Sequence, residues 1–442
     1  MTQLDVGIDG YNLAMPKGTG IATYGLTLAA MLKEAGHRVT GVFGLDAGRD
    51  PAMREILFFD RIGQTPETTR KQRRRHSRHL SWTAINPLHV PHAAEVPLTG
   101  RVEKGSFAGR LPAFDRLVTS PFLFELAHRQ FRLRNRFLRL TVDRPPAIMH
   151  WTYPLPIELV GAANIYTLHD LVPLKLPYTT LDGKQAYRAL VAQCIARAAQ
   201  VCTVSEASRA DIIAEFGADP DKVFNTWQAS PVHAALASDP ADDAAIVENI
   251  FGLRHRNYFL YFGAVEPKKN IGRLLEGFLS LDTATPLVMG GGRGWRSEEE
   301  LKLLPTDEEA GTSRGRTIAD RLIRLDHLSR ELLLRLIRGA RAVLFPSIYE
   351  GFGLPVLEAM QMGTPVLTST TSSLPEVAGD AALLIDPYDA RAIAAGIRAL
   401  DEDADLRYRL ATAGPVQAQT FSVERYGERI ETLYARALQT RQ

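Results

Sequence analysis

The stretch AVLFPSIYEGFGLPVLEAMQMGTPVLT, from Ala342 to Thr368, decides the fold. Ala342-Val343-Leu344-Phe345 is a short apolar run of the kind that forms a buried parallel strand, and Pro346-Ser347 end it. Glu350-Gly351-Phe352-Gly353 follows as a loop with two glycines. Leu354-Pro355 then opens a helix expected to run to about Met362, because proline lacks only an N–H that the first turn leaves unbonded anyway. Gly363 closes that helix, and Pro365-Val366-Leu367 starts the next strand. A strand, a glycine loop and a helix N-terminus together offer free backbone N–H groups and a positive dipole end, which is a site for an anion.

Glu350 and Glu358, eight residues apart, bracket this loop. A phosphate cradle alone suits any nucleotide-binding α/β protein. Carboxylates beside it suit a ligand that also carries hydroxyl pairs, since an ionised carboxylate accepts two hydrogen bonds at once. A sugar nucleotide, with a pyrophosphate between two polyols, is such a ligand. Either glutamate alone reads equally well as a solvated surface charge; the combination carries the inference.

Outward from this stretch, strands and helices alternate. Leu4–Asp9 and Arg38–Phe43 read as strands around a helix from Ile21 to Ala35, a βαβ opening that predicts a parallel sheet. Further strands are expected at Ile148–Trp151, Asn164–Leu168, Val201–Val204, Tyr258–Phe262, Pro286–Met289 and Arg321–Leu325, with Ser205 as the N-cap of a helix through Phe216. The last helical segments are expected over 390–414 and 422–438. The expected fold class is α/β: two doubly wound Rossmann-like domains, about 1–238 and 252–420, facing each other across a cleft. Asp239 to Asp243, acidic and alanine-rich, reads as the linker. Residues at the carboxyl ends of such strands project into the ligand crevice. That places His169-Asp170 after one strand and Lys268-Lys269 after another, just before a helix start.

The 442 residues include 45% apolar and 23% charged side chains, an ordinary globular composition with room for two cores. Two cysteines, Cys194 and Cys202, fit neither a disulfide framework nor a cysteine metal site and agree with a reducing compartment. The opening MTQLDVGIDG lacks a basic and apolar leader, and no apolar run approaches a membrane span, so a cytoplasmic protein is expected. The net charge of +2 hides an imbalance: residues 70–139 hold 15 Lys/Arg against 4 Asp/Glu. Arg70 to His79 is the densest part. Pro121 to Leu140 reads as an amphipathic helix with Arg129, Arg132, Arg136 and Arg139 along one face. Core packing with a solvated arginine face and peripheral contact with an anionic membrane weigh equally there. Nucleic acid is not expected, because Arg70 to Arg78 has no interleaved aromatics for stacking.

Glu350 to Glu358 resembles the E-x7-E signature of the family-4 retaining glycosyltransferases, which have the GT-B fold. The resemblance extends from Gly18-Thr19-Gly20 to about Tyr434 and is weakest between residues 46 and 140. It implies transfer of a sugar from a nucleoside-diphosphate donor to a glycan or lipid-linked glycan, with retention, no cofactor and no metal. It also implies a final helix, within 421–442, that crosses back to the first domain. By this resemblance Lys269 and Lys268 meet the pyrophosphate, Glu350 orients the donor sugar, Glu358 holds the ribose and His169 sits at the sugar. Backbone N–H groups of Gly351, Phe352, Gly353 and Leu354 meet sugar and phosphate; Gly20 lies near the phosphates, and the loop with His327 and Leu328 holds the base. The chain has Ala264 where some members carry arginine, and Asp326 where a glycine is usual. Two readings of other classes stand beside this one: an inactive anion-, membrane- or nucleic-acid-binding protein on the same scaffold, and a sugar-nucleotide epimerase or hydrolase.

Overall fold

The computed structural model describes residues 3–15, 20–48, 50–62, 80–86, 90–102, 107, 111–179, 183–230, 239–292, 294, 297–304, 321–325 and 328–440. Two sheets organise it. The first takes β1 (Asp5–Asp9), β2 (Arg38–Phe43), β3 (Ala94–Val96), β4 (Arg116–Thr119), β6 (Ile148–Trp151), β8 (Ala163–Thr167), β9 (Gln200–Thr203) and β10 (Val223–Asn225). Their order is β10-β9-β8-β6-β1-β2-β4-β3, parallel except for the edge strand β3, which runs antiparallel to β4. Two short strands outside it, β5 (Leu138–Leu140) and β7 (Ile157–Leu159), pair in parallel. The second sheet takes β11 (Phe259–Phe262), β12 (Leu287–Gly290), β13 (Leu322–Leu325), β14 (Ala342–Phe345), β15 (Val366–Ser369) and β16 (Leu383–Ile385). Its order is β13-β12-β11-β14-β15-β16, all parallel. Both central strands, β1 and β11, are runs of buried residues, as strands covered on both faces must be.

Three expectations are corrected. The first concerns Pro121 to Leu140, where the helix is only Leu123–Arg134. Asn135 adopts the left-handed conformation (φ 50°) and its N–H closes on the Phe131 carbonyl, ending the helix. Arg136 lies beyond that stop and Arg139 is the outward residue of β5, between buried Leu138 and Leu140. The four arginines therefore do not share a helix face. Arg129 reaches Ser81 Oγ at 2.8 Å. The second concerns the supposed linker: Asp239 caps a helix, Pro240–Phe251, by accepting from Ala241 N. Asp243 in that helix is buried and pairs with Arg338 at 2.6 Å, so the acids mark a helix start rather than a flexible joint. Third, 390–414 breaks at Asp403, which ends Ala390–Glu402 and caps Ala404–Ala418. Arg70 to His79, Gly18, Thr19 and His327 lie outside the described residues.

The last helix, Val423–Gln439, is capped by Ser422 and packs against β6, β8 and β9 of the first sheet. Its buried face includes Tyr426, Ile430, Leu433 and Tyr434. Tyr434 Oη lies 3.0 Å from His150 Nδ1, and His150 Nε2 lies 2.8 Å from Thr167 Oγ1. Burial pushes the His150 imidazolium down to about 3, so this core histidine is neutral.

The two sheets meet through side chains as well as the backbone. The Glu376 carboxylate, from the second, accepts the backbone N–H groups of Glu206 and Ala207 at 2.9 and 3.2 Å, at the start of the helix Glu206–Phe216, and also Trp227 Nε1–H. Tyr349 Oη donates to Asp211 at 2.5 Å.

Candidate functional site

The cleft between the carboxyl ends of the two sheets gathers most of the expected residues. Lys268 and Lys269 sit in a short 3-10 turn, Pro267–Lys269, after β11. Asn270 follows with φ 63° and its buried amide donates to the carbonyls of Pro346 and Pro387 at 3.0 and 2.7 Å. This anchors the lysine turn to the loop after β14. Ser347 completes the tie: its Oγ lies 2.9 Å from the Lys268 carbonyl and 2.6 Å from Glu350 Oε1.

Glu350 is buried and stands at the centre. Lys269 Nζ donates to its Oε1 at 2.6 Å, and Lys268 Nζ lies 3.9 Å from Oε2. Burial alone would raise the Glu350 carboxyl, but Lys269, Lys268 and the Ser347 hydrogen bond overcome it and hold the group below the usual glutamate range. Ser372 Oγ donates to the Glu350 carbonyl at 2.6 Å, and Ser373 Oγ lies 3.0 Å from it. For Lys268, burial is outweighed by Glu350, Asp170 and Glu266, and the ammonium is pushed up to about 12. Lys269 Nζ also lies 4.9 Å over the Phe345 ring.

The glycines of the loop have two separate reasons. Gly353 has φ +118°, a conformation that side chains disfavour, and it leads into the helix Leu354–Gln361 with Pro355 in its first turn. Gly351 is needed for closeness: a Cβ there would stand 2.5 Å from the His169 carbonyl oxygen, across the cleft. Ser208 Oγ lies 2.8 Å from that same carbonyl and 3.2 Å from the Gly351 carbonyl, sharing one hydrogen between the domains. Phe352 turns its side chain inward, buried against Phe421 at 5.3 Å between centroids. Leu354 is half-buried at the helix start.

His169 follows β8, and its Nε2 lies 2.8 Å from the Thr152 carbonyl oxygen. A carbonyl can only accept, so Nε2 carries the hydrogen and Nδ1 is the acceptor. Burial lowers the imidazolium and Lys268 adds to this, against the opposing pull of Thr152 and Asp170; the ring is neutral. Asp9, at the end of β1, accepts the Thr152 N–H at 2.5 Å and the Tyr11 N–H at 3.2 Å. Burial pushes the Asp9 carboxyl up to about 6 despite these bonds.

Glu358 is buried inside the helix and grips Arg330 in a bidentate pair, 2.9 Å from Nη1 to Oε2 and 2.6 Å from Nη2 to Oε1. Ser230 Oγ adds a contact to Oε1 at 3.2 Å. Arg330 begins the helix Arg330–Gly339, two residues after Leu328. Gly20 is the first residue of the helix Gly20–Glu34. Sequence reasoning missed Arg330, Ser347, Ser372 and Asn270 as parts of the site, while Asp170 lies in the crevice as its strand-end position implies. A basic residue opening a helix after a strand is a signal for Arg330; the serines leave none.

Residues 248–417 match the family model described as glycosyl transferases group 1. An O-antigen chain mannosyltransferase B of Escherichia coli is 35% identical over 73% of this chain and 81% of its own length. A D-inositol 3-phosphate glycosyltransferase of Salinispora tropica is 26% identical over 79% of this chain and 73% of its own. Among solved structures, sucrose-phosphate synthase from Thermosynechococcus elongatus superposes with a TM-score of 0.67 over 98% of both chains at 17% identity. HepE of Anabaena, in a complex with UDP-glucose, gives 0.63 at 15% identity over 98% of this chain and 100% of its own. These likenesses fix the two-domain GT-B architecture. With its paired lysines and carboxylates in the cleft, the chain belongs to the group 1 glycosyltransferases, and its chemistry is sugar transfer.

Proposed function

We propose that the protein transfers a hexose, mannose in the first instance, from a nucleoside-diphosphate sugar to a growing glycan, retaining the anomeric configuration. The observation that carries this is the Lys269–Glu350 pair, 2.6 Å apart, which joins the turn after β11 to buried Glu350 in the loop after β14, with Lys268 beside it. The mannosyl choice rests on the 35% identical O-antigen chain mannosyltransferase.

In this reading the donor pyrophosphate lies between Lys268, Lys269 and the N–H groups that begin the helix Leu354–Gln361. The bond from the anomeric carbon to the phosphate oxygen breaks with its electron pair going to the phosphate. The acceptor oxygen bonds to that carbon from the same face, and its proton passes to the departing phosphate oxygen. The two ammonium groups stabilise the charge that grows on the leaving diphosphate, where such groups have most effect. Glu350, kept ionised by its lysines, accepts donor-sugar hydroxyls, and His169 Nδ1 accepts another. Glu358 has three bonds in place to Arg330 and Ser230 and retains acceptor capacity on Oε2 for the ribose.

This route uses lysines where other transferases use a metal, so activity in EDTA should match that in magnesium or manganese. A screen of GDP-, UDP-, dTDP- and ADP-sugars, with mannosides as acceptors, tests the reading. Transfer with a retained anomer supports it; no consumption of any donor, or full loss with chelator, overturns the corresponding part.

A peripheral membrane contact by the first domain has one observation in its favour. Trp82, Ile85 and Leu133 are large apolar side chains left 79%, 54% and 51% exposed. Arg129 and Arg134 tie their two segments together, through Ser81 and the Ile85 carbonyl. Exposed aromatic and aliphatic groups amid arginines suit the interface of an anionic bilayer. This would bring the cleft to a lipid-linked glycan at the inner membrane face, consistent with a cytoplasmic enzyme.

A further inference from the structure

On the first-domain side of Lys268 the cleft opens into a cavity of about 220 Å³, the room of roughly seven waters at ~30 Å³ each. Tyr153, His169, Asp170 and Tyr187 line it from the first domain, and Glu266 and Lys268 from the second. We propose that this cavity is the acceptor subsite and that it takes an uncharged pyranose residue rather than a phosphorylated acceptor. The proposal rests on the sugar-transfer reading above and adds the chemical class of the acceptor.

Its position follows from shared walls. His169 and Lys268 border both this cavity and the donor site, so a hydroxyl held here faces the departing phosphate, as same-face transfer requires. Its ligand class follows from charge. Two carboxylates face one ammonium, whose charge Glu350 already shares at 3.9 Å, and among the described residues no arginine lines the wall. A phosphate dianion would have to lie beside Asp170 and Glu266, a like-charge contact that opposes binding. Sugar hydroxyls meet the same carboxylates as paired donors.

The walls are also set in advance. Tyr187 Oη donates to the Asp170 carbonyl at 2.9 Å, and Asp170 Oδ1 accepts the Val172 N–H at 3.1 Å. Asp170 Oδ2 remains 4.0 Å from Lys268 Nζ. The Tyr153 ring lies stacked 6.1 Å from that of Tyr11. Rigid tyrosines give an apolar face with a polar edge, which matches the two sides of a pyranose. The distinction matters because similar proteins include both an O-antigen chain mannosyltransferase and D-inositol 3-phosphate glycosyltransferases.

Saturation-transfer NMR on the full-length protein, with GDP and separately with UDP present, compares methyl α-D-mannopyranoside with mannose 6-phosphate. The methyl glycoside should bind at least ten-fold more tightly. Asp170→Asn and Glu266→Gln should each weaken the methyl glycoside and narrow the gap, by removing the charge that repels phosphate. A protein merely loosened by these changes would lose both ligands in proportion. Equal or tighter binding of mannose 6-phosphate by the wild type overturns the proposal even if neither variant folds. Unaltered discrimination in both folded variants, or no binding of either probe, does so too. Because binding needs no turnover, methyl glycoside binding without consumption of any sugar nucleotide would sink the transferase reading alone. Transfer preferring a phosphorylated sugar would sink the acceptor class alone.

Discussion

At the scale of single residues, the site works by charges held at fixed places. Lys269 faces Glu350 on one side and the Phe345 ring on another, with little core of its own to lose. Lys269→Ala should therefore fold and lose turnover by about 10²-fold or more, as removal of a transition-state charge donor does. Steady-state kinetics on the soluble variant checks this; near-normal kcat would move the role to Lys268. Asp9 gives a different, pH-linked signature. Burial pushes its folded carboxyl up to about 6, above its ordinary value of 3.8. The folded state thus holds a proton that the unfolded state has released across that interval, and stability falls as pH rises from about 4 to 6. The amount is on the order of 3 kcal/mol at most, from about 1.4 kcal/mol per pH unit. Across that window the melting temperature of the wild type should fall relative to that of Asp9→Asn, which lacks the titrating carboxyl. Parallel curves would remove Asp9 from the account.

At the scale of elements, local rules were legible where the chain obeys one period from cap to cap. β2, β6 and β14 lie at the residues expected, and Ser205 caps its helix as its position before Glu206-Ala207 implies. The stretch 121–140 departs from the amphipathic-helix expectation because Asn135, a residue able to enter the left-handed region, stops the helix. The helix Pro51–Arg61 was not expected, although Asp50-Pro51, a cap and a first-turn proline, marks its start. The same pair of residue types at Asp239-Pro240 outweighs the linker-like composition. Of the candidate site, the strand ends were legible because their sequence positions define them. Contacts such as Arg330 with Glu358 and Asn270 with Pro387 were not, since they join residues whose separation only the fold removes. The Glu376 carboxylate is another such contact, accepting two N–H groups at a helix start in the opposite domain. Hydrogen bonds to a charged group contribute roughly 1.5–3 kcal/mol. Glu376→Ala should speed amide exchange at Glu206 and Ala207 by about ten-fold or more, read by hydrogen–deuterium exchange. Unchanged protection would mean that the domains are held together elsewhere.

At the scale of the whole molecule, charge is unevenly divided along the chain. Residues 70–139 hold a large excess of Lys/Arg, and among the described ones Trp82, Ile85 and Leu133 project outward. No helix among the described residues is long and apolar enough to cross a membrane. Vesicles containing phosphatidylglycerol should sediment the protein, and neutral phosphatidylcholine vesicles should not. Salt should weaken the effect, since exposed charges are screened within about 10 Å at 0.1 M. Replacing Trp82, Ile85 and Leu133 by serine should reduce recovery several-fold. Equal recovery of that variant would reduce the patch to ordinary surface.

The last helix has a consequence for how the protein is made. Val423–Gln439 fills the face of β6, β8 and β9, although these strands are translated more than two hundred residues earlier. While the ribosome works through the second domain, the first must wait with the surface destined for Ile430, Leu433 and Tyr434 uncovered. Domains ordinarily fold as units, the N-terminal one first. Here that order is denied: the first half emerges early and is completed last. The nascent chain carries an apolar groove for the whole of the second domain's synthesis, which makes that interval the one in which holdase chaperones have something to bind.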